Sequence, residues 1–186
     1  MPQLHTERLT LTPFGLDLVR AAMTDKAALG RMLSVRVPDD WPGPDLGEIL
    51  PLIAAGLGEN PARARWGGLI IHSADRTLIG DIGCKEPPDA AGMVEIGYGL
   101  VPAYRGQGYA TEAARALVAW LWTQGVRRVT AECLADNAAS IRVLEKLGMR
   151  RLAPVGNMLK WELRREEAPG AGLTRASGAP GAQLCD

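Results

Sequence analysis

The stretch Met93-Val94-Glu95-Ile96-Gly97-Tyr98-Gly99-Leu100-Val101-Pro102-Ala103-Tyr104-Arg105-Gly106-Gln107-Gly108-Tyr109-Ala110 reads as a strand, a stop, a glycine-bearing loop and the start of a helix. Met93 to Val101 is a largely apolar run, and Pro102 ends it because proline cannot donate to a strand ladder. Downstream, Ala110, Ala113, Ala114, Leu117, Val118 and Leu121 recur at three- and four-residue spacing, with Gly125 as a natural left-handed stop. This predicts a helix over 110–124. A loop of small residues that opens a helix leaves backbone amides unpaired at the positive end of the helix dipole. Gly106 and Gly108 let a ligand approach without Cβ interference, and Ala110 is nearly as small. Arg105 and Thr111 add a charged donor and a hydroxyl. Each amide donated to a phosphate oxygen is worth about 1.5–3 kcal/mol, so three or four would hold a diphosphate.

Other readings of the loop stand beside this one. A Walker loop ends in Gly-Lys-Ser/Thr, and no lysine is present here. A dinucleotide-binding turn needs a third glycine where Thr111 stands, and it opens the first βαβ unit rather than lying past mid-chain. A purely structural strand-to-helix turn fits the same residues.

Working outward, Trp66 to His72, Leu78 to Cys84 and Met93 to Val101 are strand-like runs separated by short turns, an antiparallel meander. Arg8 to Pro13 alternates leucine and threonine as a half-buried first strand. Helical stretches are expected over about 16–33 and 46–57, separated by the breaker-rich Pro38-Asp39-Asp40-Trp41-Pro42-Gly43-Pro44. That linker reads either as a mobile lip over a pocket or as a connection anchored by its tryptophan. Past the long helix, Arg127 to Leu134 is a strand with Val129, Ala131 and Cys133 on one face. Asp136-Asn137 then caps a helix from Ala138 to Leu147 that Gly148 ends. Short strands near 149–152 and 158–163 complete a mixed α/β (α+β) order. One domain is expected over residues 1–165, followed by a low-complexity tail over 166–186 expected to be disordered.

Composition narrows the partners. Acidic and basic residues balance at 21 each, so no global field favours nucleic acid or an anionic membrane. No apolar run is long enough to span a bilayer, and the chain is expected to be soluble and cytoplasmic. Cys84, Cys133 and Cys185 form no CxxC pair, which points to reduced, structural thiols and no metal.

Arg105-x-x-Gly108-x-Ala110, following Glu95-Ile96-Gly97-Tyr98-Gly99-Leu100, resembles the central motif of the GNAT superfamily of N-acetyltransferases, Q/R-x-x-G-x-G/A. Thr6-Glu7-Arg8-Leu9 with Leu11 and Pro13 resembles the opening strand of the branch that acetylates N-terminal residues of ribosomal proteins. Ala131-Glu132, Asp136-Asn137-Ala138-Ala139-Ser140 and Leu144-Glu145-Lys146-Leu147-Gly148-Met149 resemble that branch's second signature. The resemblance runs in order over about residues 5–163. It implies a twisted, mostly antiparallel sheet of about seven strands flanked by about four helices, with acetyl-CoA as cosubstrate.

The same resemblance implies roles. The backbone of Gly99, Leu100 and Val101 would pair with the pantetheine arm, and an amide near Gly99 or Leu100 would polarise the thioester carbonyl. Arg105, Gly106, Gln107, Gly108, Tyr109 and Ala110 would bind the pyrophosphate, with Thr111 adding its hydroxyl. Asn137 would contact the cofactor arm, and Ser140 would protonate the departing thiolate. Both residues also fit a plain helix cap. Tyr98 and Tyr109 do not stand where relatives place an acid tyrosine. For the base, Glu95 stands where histone-acetylating relatives carry theirs, and Glu132 is the competitor. Either carboxylate also fits a half-buried ion pair with an arginine.

A lysine amine near pKa 10.4 costs about 4.6 kcal/mol to deprotonate at pH 7, an α-amine only about 1 kcal/mol. A site with no catalytic histidine therefore suits an α-amine or another amine of low pKa. The expected reaction is direct transfer in a ternary complex to a peptide or protein N-terminus or a small amine. A catalytically weak acyl-CoA-binding module, or use of another acyl-CoA, is the alternative. A homodimer is expected only by analogy.

Overall fold

The computed structural model describes residues 1–167, so the expectation for the rest of the tail lies outside the described residues. Eight strands form one sheet in the order β1-β2-β3-β4-β5-β6-β8-β7. They are β1 (Leu4–His5), β2 (Leu9–Pro13), β3 (Gly67–His72), β4 (Thr77–Cys84), β5 (Met93–Leu100), β6 (Arg128–Leu134), β7 (Arg150–Arg151) and β8 (Met158–Arg164). Five α-helices accompany them: α1 (Leu16–Thr24), α2 (Lys26–Leu33), α3 (Pro44–Glu59), α4 (Tyr109–Thr123) and α5 (Ala138–Lys146). The mixed, mostly antiparallel sheet matches expectation, with one strand and one helix more than the sequence suggested. β1 is two residues long, too short for any periodicity to announce it.

The extra helix comes from Asp25. The apolar pattern over 16–33 is continuous, yet Asp25 takes an extended conformation that ends α1 and accepts a hydrogen bond from Ala28 N at 2.9 Å. An aspartate here is worth more as a cap than as a helical residue, so one run becomes two helices. α3 starts two residues earlier than expected because Pro44 sits at its first turn, where its missing N–H costs nothing.

Leu9 and Leu11 of β2 are fully buried, as are Leu69, Ile70, Leu78 and Ile79 of the meander. Each contributes about 1.5–3 kcal/mol of apolar burial. α4 lays Ala113, Ala114, Leu117 and Leu121 into this core, packing against β2, β4 and β5. Trp41 is 1% exposed and meets Phe14 edge-to-face at 6.2 Å, so the 38–44 linker is an anchored connection.

One break in the sheet positions everything that follows. β5 and β6 run parallel, but their pairing covers only Met93↔Arg128, Val94↔Val129 and Glu95↔Thr130. β6 then continues alongside β8 as far as Leu134↔Met158, while β5 continues alongside β4 as far as Leu100↔Gly80. The sheet therefore opens into a wedge beyond Glu95.

Candidate functional site

The wedge leaves one edge of β5 without a neighbour. Val101 N donates to Ile79 O, and Lys85 N donates to Glu95 O, both across to β4. Because antiparallel pairs alternate, Gly97 and Gly99 also direct their amides toward β4. Ile96, Tyr98 and Leu100 are left facing the wedge. This refines the sequence expectation, since of Gly99, Leu100 and Val101 only Leu100 has a free amide. The Leu100 carbonyl accepts from Arg105 Nε at 2.9 Å, which ties the loop to the strand end.

Immediately beyond lies the glycine loop. Gly106 and Gly108 have φ of +75° and +86°, conformations that L side chains rarely adopt. Among the described residues, no amide from Gly106 to Thr111 donates a hydrogen bond, and the first helical bond runs from Glu112 N to Gly108 O at 3.0 Å. Six consecutive amides are thus undonated at the positive end of a 15-residue helix. The side chain of Tyr109 points away, into the core, where its hydroxyl meets His72 Nε2 at 3.1 Å.

The opening signature explains itself here. Glu112, in the first turn of α4, accepts from Thr6 Oγ1 at 2.6 Å, Arg8 N at 2.9 Å and Arg8 Nε at 2.7 Å. Arg8 Nη1 also reaches Gln107 O at 3.1 Å, and its guanidinium lies 4.3 Å from the Tyr109 ring centre. Thr6 and Arg8 therefore brace the loop from beneath. Against its partial burial, which pushes it up, the hydrogen bonds from Thr6 and Arg8 and the Arg8 charge hold the Glu112 carboxyl below its usual range.

At the far side of the wedge, Asn137 caps α5 by accepting from Ser140 N at 3.0 Å. Tyr98 extends from β5 toward the same turn, its hydroxyl 3.5 Å from Ser140 O, and burial pushes its phenol up to about 12. The wedge thus brings Leu100, Tyr98 and Ser140 to one gap. Tyr98 therefore lies beside the Ser140 turn, although it does not stand where relatives place an acid tyrosine.

The two expected bases share cations. Lys85 Nζ pairs with Glu95 and, at 2.7 Å, with Glu132, which Lys160 also engages. The hydrogen bonds from Lys160 and Lys85 hold the Glu132 carboxyl down to about 2. Lysines, not the arginines that the sequence suggested, supply these pairs.

A carboxylate that sequence reading passed over stands closer to the open strand. Asp81 of β4 pairs with Gly99, and a Cβ on Gly99 would stand 3.5 Å from both its oxygens. Burial pushes its carboxyl up to about 7; the neighbouring Trp41 indole opposes this without reaching hydrogen-bond geometry, and the charge of Asp45 adds to it. A lone acid inside Leu78-Ile79-Gly80-Asp81-Ile82-Gly83 was the available signal. Asp81 opens onto a cavity of about 600 Å³ between β4–β5 and the 40–46 segment leading into α3. Among the described residues, no helix is long and apolar enough to cross a membrane.

The sequence profile described as "Acetyltransferase (GNAT) domain" matches residues 8–150. The uncharacterized N-acetyltransferase YjdG of Bacillus subtilis is 34% identical over 150 residues, covering 80% of this chain and 89% of that protein. The solved ribosomal-protein-S5-alanine acetyltransferase of Vibrio fischeri superposes with a TM-score of 0.64 at 14% identity, over 91% of this chain and 100% of that one. Mycobacterium smegmatis RimJ, solved with CoA-disulfide, superposes with a TM-score of 0.60 at 22% identity, over 87% of this chain and 84% of that one.

Proposed function

The chain belongs to the GNAT acetyltransferase family, and on that premise we propose that it moves the acetyl group of acetyl-CoA to a primary amine by direct transfer in a ternary complex. The observation that carries this reading is the junction of an open strand edge with six undonated amides. A pyrophosphate needs unpaired donors, which the backbone from Gly106 to Thr111 supplies. A pantetheine amide arm needs a strand edge, which β5 supplies from Ile96 to Leu100. Acetyl-CoA bound there would supply the activated thioester. The CoA-disulfide in RimJ and the N-acetyltransferase name of the Bacillus relative support donor and amine respectively.

Leu100 N–H would donate to the thioester oxygen, stabilising the negative charge that develops there. Ser140, at the α5 turn across the wedge, would return a proton to the departing sulfur, with the Tyr98 phenol beside it as a second donor. Asn137 orients that turn through its cap. Glu132, held ionised by two lysines, has little basicity left. Glu95 shares Lys85 and stands four residues before Gly99, about 13 Å along the strand. Proton removal by Glu95 therefore runs through intervening water, and a closer carboxylate competes for the task. A thiol relay is disfavoured, because burial pushes the Cys84 thiol up to about 12.

Calorimetry with acetyl-CoA, followed by thiol-release assays over an amine panel, tests the reading. Stoichiometric binding and amine-dependent thiol release are expected. Failure to bind acetyl-CoA would sink it, and binding without turnover would make the chain an acyl-CoA-binding module.

A further inference from the structure

The cavity above Asp81 continues directly from the open strand, sharing Gly97 to Pro102 and Arg105 with it. One wall is apolar, built from Phe14, Trp41, Leu46, Ile49 and Ile53. Its charges are uneven. Of the titratable groups that line it, Lys85 is committed to Glu95 and Glu132, and Arg105, hydrogen-bonded through Nε to the Leu100 carbonyl, keeps a positive charge that the donor reading assigns to the pyrophosphate. The Cys84 thiol and the Tyr98 phenol are both pushed up to about 12 by burial and stay neutral. That leaves Asp40 and Asp45, exposed at the mouth, and Asp81 within. Among the described residues, none of the three forms an ion pair.

A second observation is independent of these acids. Trp41 is 1% exposed, and its indole N–H has no hydrogen-bond acceptor. A buried donor in that state is costly, at about 1–3 kcal/mol. Asp81 is the carboxylate that this indole acts on. One carboxylate oxygen turned to the indole would leave the other facing the cavity, over the bare Gly99.

We propose that this cavity is the acceptor site and takes a dicationic amine, its reacting ammonium on Asp81 and its second positive charge at Asp40 and Asp45. This rests on the acyl-CoA reading above and adds the acceptor to it. In the reaction, the ammonium gives one proton to the Asp81 carboxylate, leaving a neutral amine and a carboxylic acid. The amine nitrogen then forms a bond to the acetyl carbon as the carbon–sulfur bond breaks. The sulfur leaves with the electron pair and takes a proton at the wedge, and the nitrogen's remaining excess proton passes to water. The apolar lining of the cavity suits a methylene spacer. A free amino acid is disfavoured, because its carboxylate would meet the Asp40 and Asp45 carboxylates at the mouth.

The test uses the intact protein with 1,4-diaminobutane, butylamine and 4-aminobutanoate as acceptors. Wild type should prefer the diamine over the monoamine by roughly three- to fivefold in kcat/KM, the worth of an exposed ion pair, and should use the amino acid least. Asp81→Asn should lower kcat/KM by about 10²–10⁴-fold, the range for a lost general base. It should leave acetyl-CoA binding unchanged and abolish the rise of activity with pH near neutrality. Asp45→Asn should remove the diamine preference and shift that rise to lower pH, because a negative neighbour of Asp81 is gone. The pH shift is a readout that a folding defect would not produce. Equal use of diamine and monoamine, or an Asp81→Asn variant with normal activity, would overturn the proposal. So would the binding of no amine to a protein that binds acetyl-CoA, an outcome that leaves the donor reading standing. Loss of acetyl-CoA binding by the wild type would instead defeat the donor reading itself.

Discussion

Strand β5 faces two different environments. Toward β6 it offers backbone: free amides at Tyr98 and Leu100, continued by the donors of the 106–111 loop. On its β4 side it offers a side chain, Asp81, over a strand stripped to glycine at 97 and 99. The difference follows from what each half would hold. A phosphate and an amide arm are recognised by dipoles at fixed spacing, which one continuous segment can present. An amine needs a charge at one point in space, and distant segments can combine to supply that.

The comparison can be broken first at the donor side. Ser140→Ala should lower kcat about 10²-fold with acetyl-CoA affinity unchanged, read by steady-state kinetics alongside calorimetry. Weakened binding with normal kcat would reduce Ser140 to a cap residue. Gly108→Ala comes next. Its φ of +86° costs a side chain about 1–2 kcal/mol, so roughly tenfold weaker acetyl-CoA binding is expected. Gly125→Ala, at φ +82° beyond the opposite end of α4, should cost similar stability and no affinity, which separates strain from cradle.

Two carboxylates sharpen the acceptor side. The Asp81 carboxyl is raised from 3.8 to about 7, so the stability it contributes in acid is lost as pH rises toward and through about 7. Asp81→Asn should therefore raise stability at about pH 8 by on the order of 1–2 kcal/mol, seen as a higher Tm, and leave it unchanged near pH 3, measured by scanning calorimetry. Glu132 behaves in the opposite sense. Lowered from 4.5 to about 2, it stabilises above the first value and loses that contribution as pH falls toward the second. Glu132→Gln should cost on the order of 1 kcal/mol at neutral pH and leave the pH–rate profile unchanged. A flattened profile would return the proton-accepting role to Glu132.

Much of the fold was legible in the chain. The α4 stripe Ala113, Ala114, Leu117 and Leu121 is buried as its spacing required, and Val129, Ala131 and Cys133 do share a buried face. What escaped has identifiable causes. Asp25 divides an unbroken apolar pattern because capping overrode periodicity. An ion pair was expected as one reading of Glu95 and Glu132, but its lysines were not legible because Lys85 and Lys160 lie 10 and 28 residues away from them. The approach of Tyr98 to Ser140 crosses the wedge, a contact that sequence spacing does not carry.

By itself, the sequence determined the elements and the glycine loop, since left-handed turns, caps and helix starts are decided within a few residues of chain. Only the tertiary structure decided where β5 and β6 part, which amide of 99–101 is free, and that Asp81 stands across from Gly99. Those depend on cross-strand register and on how the 40–46 segment closes over β4, couplings between residues that no local rule connects.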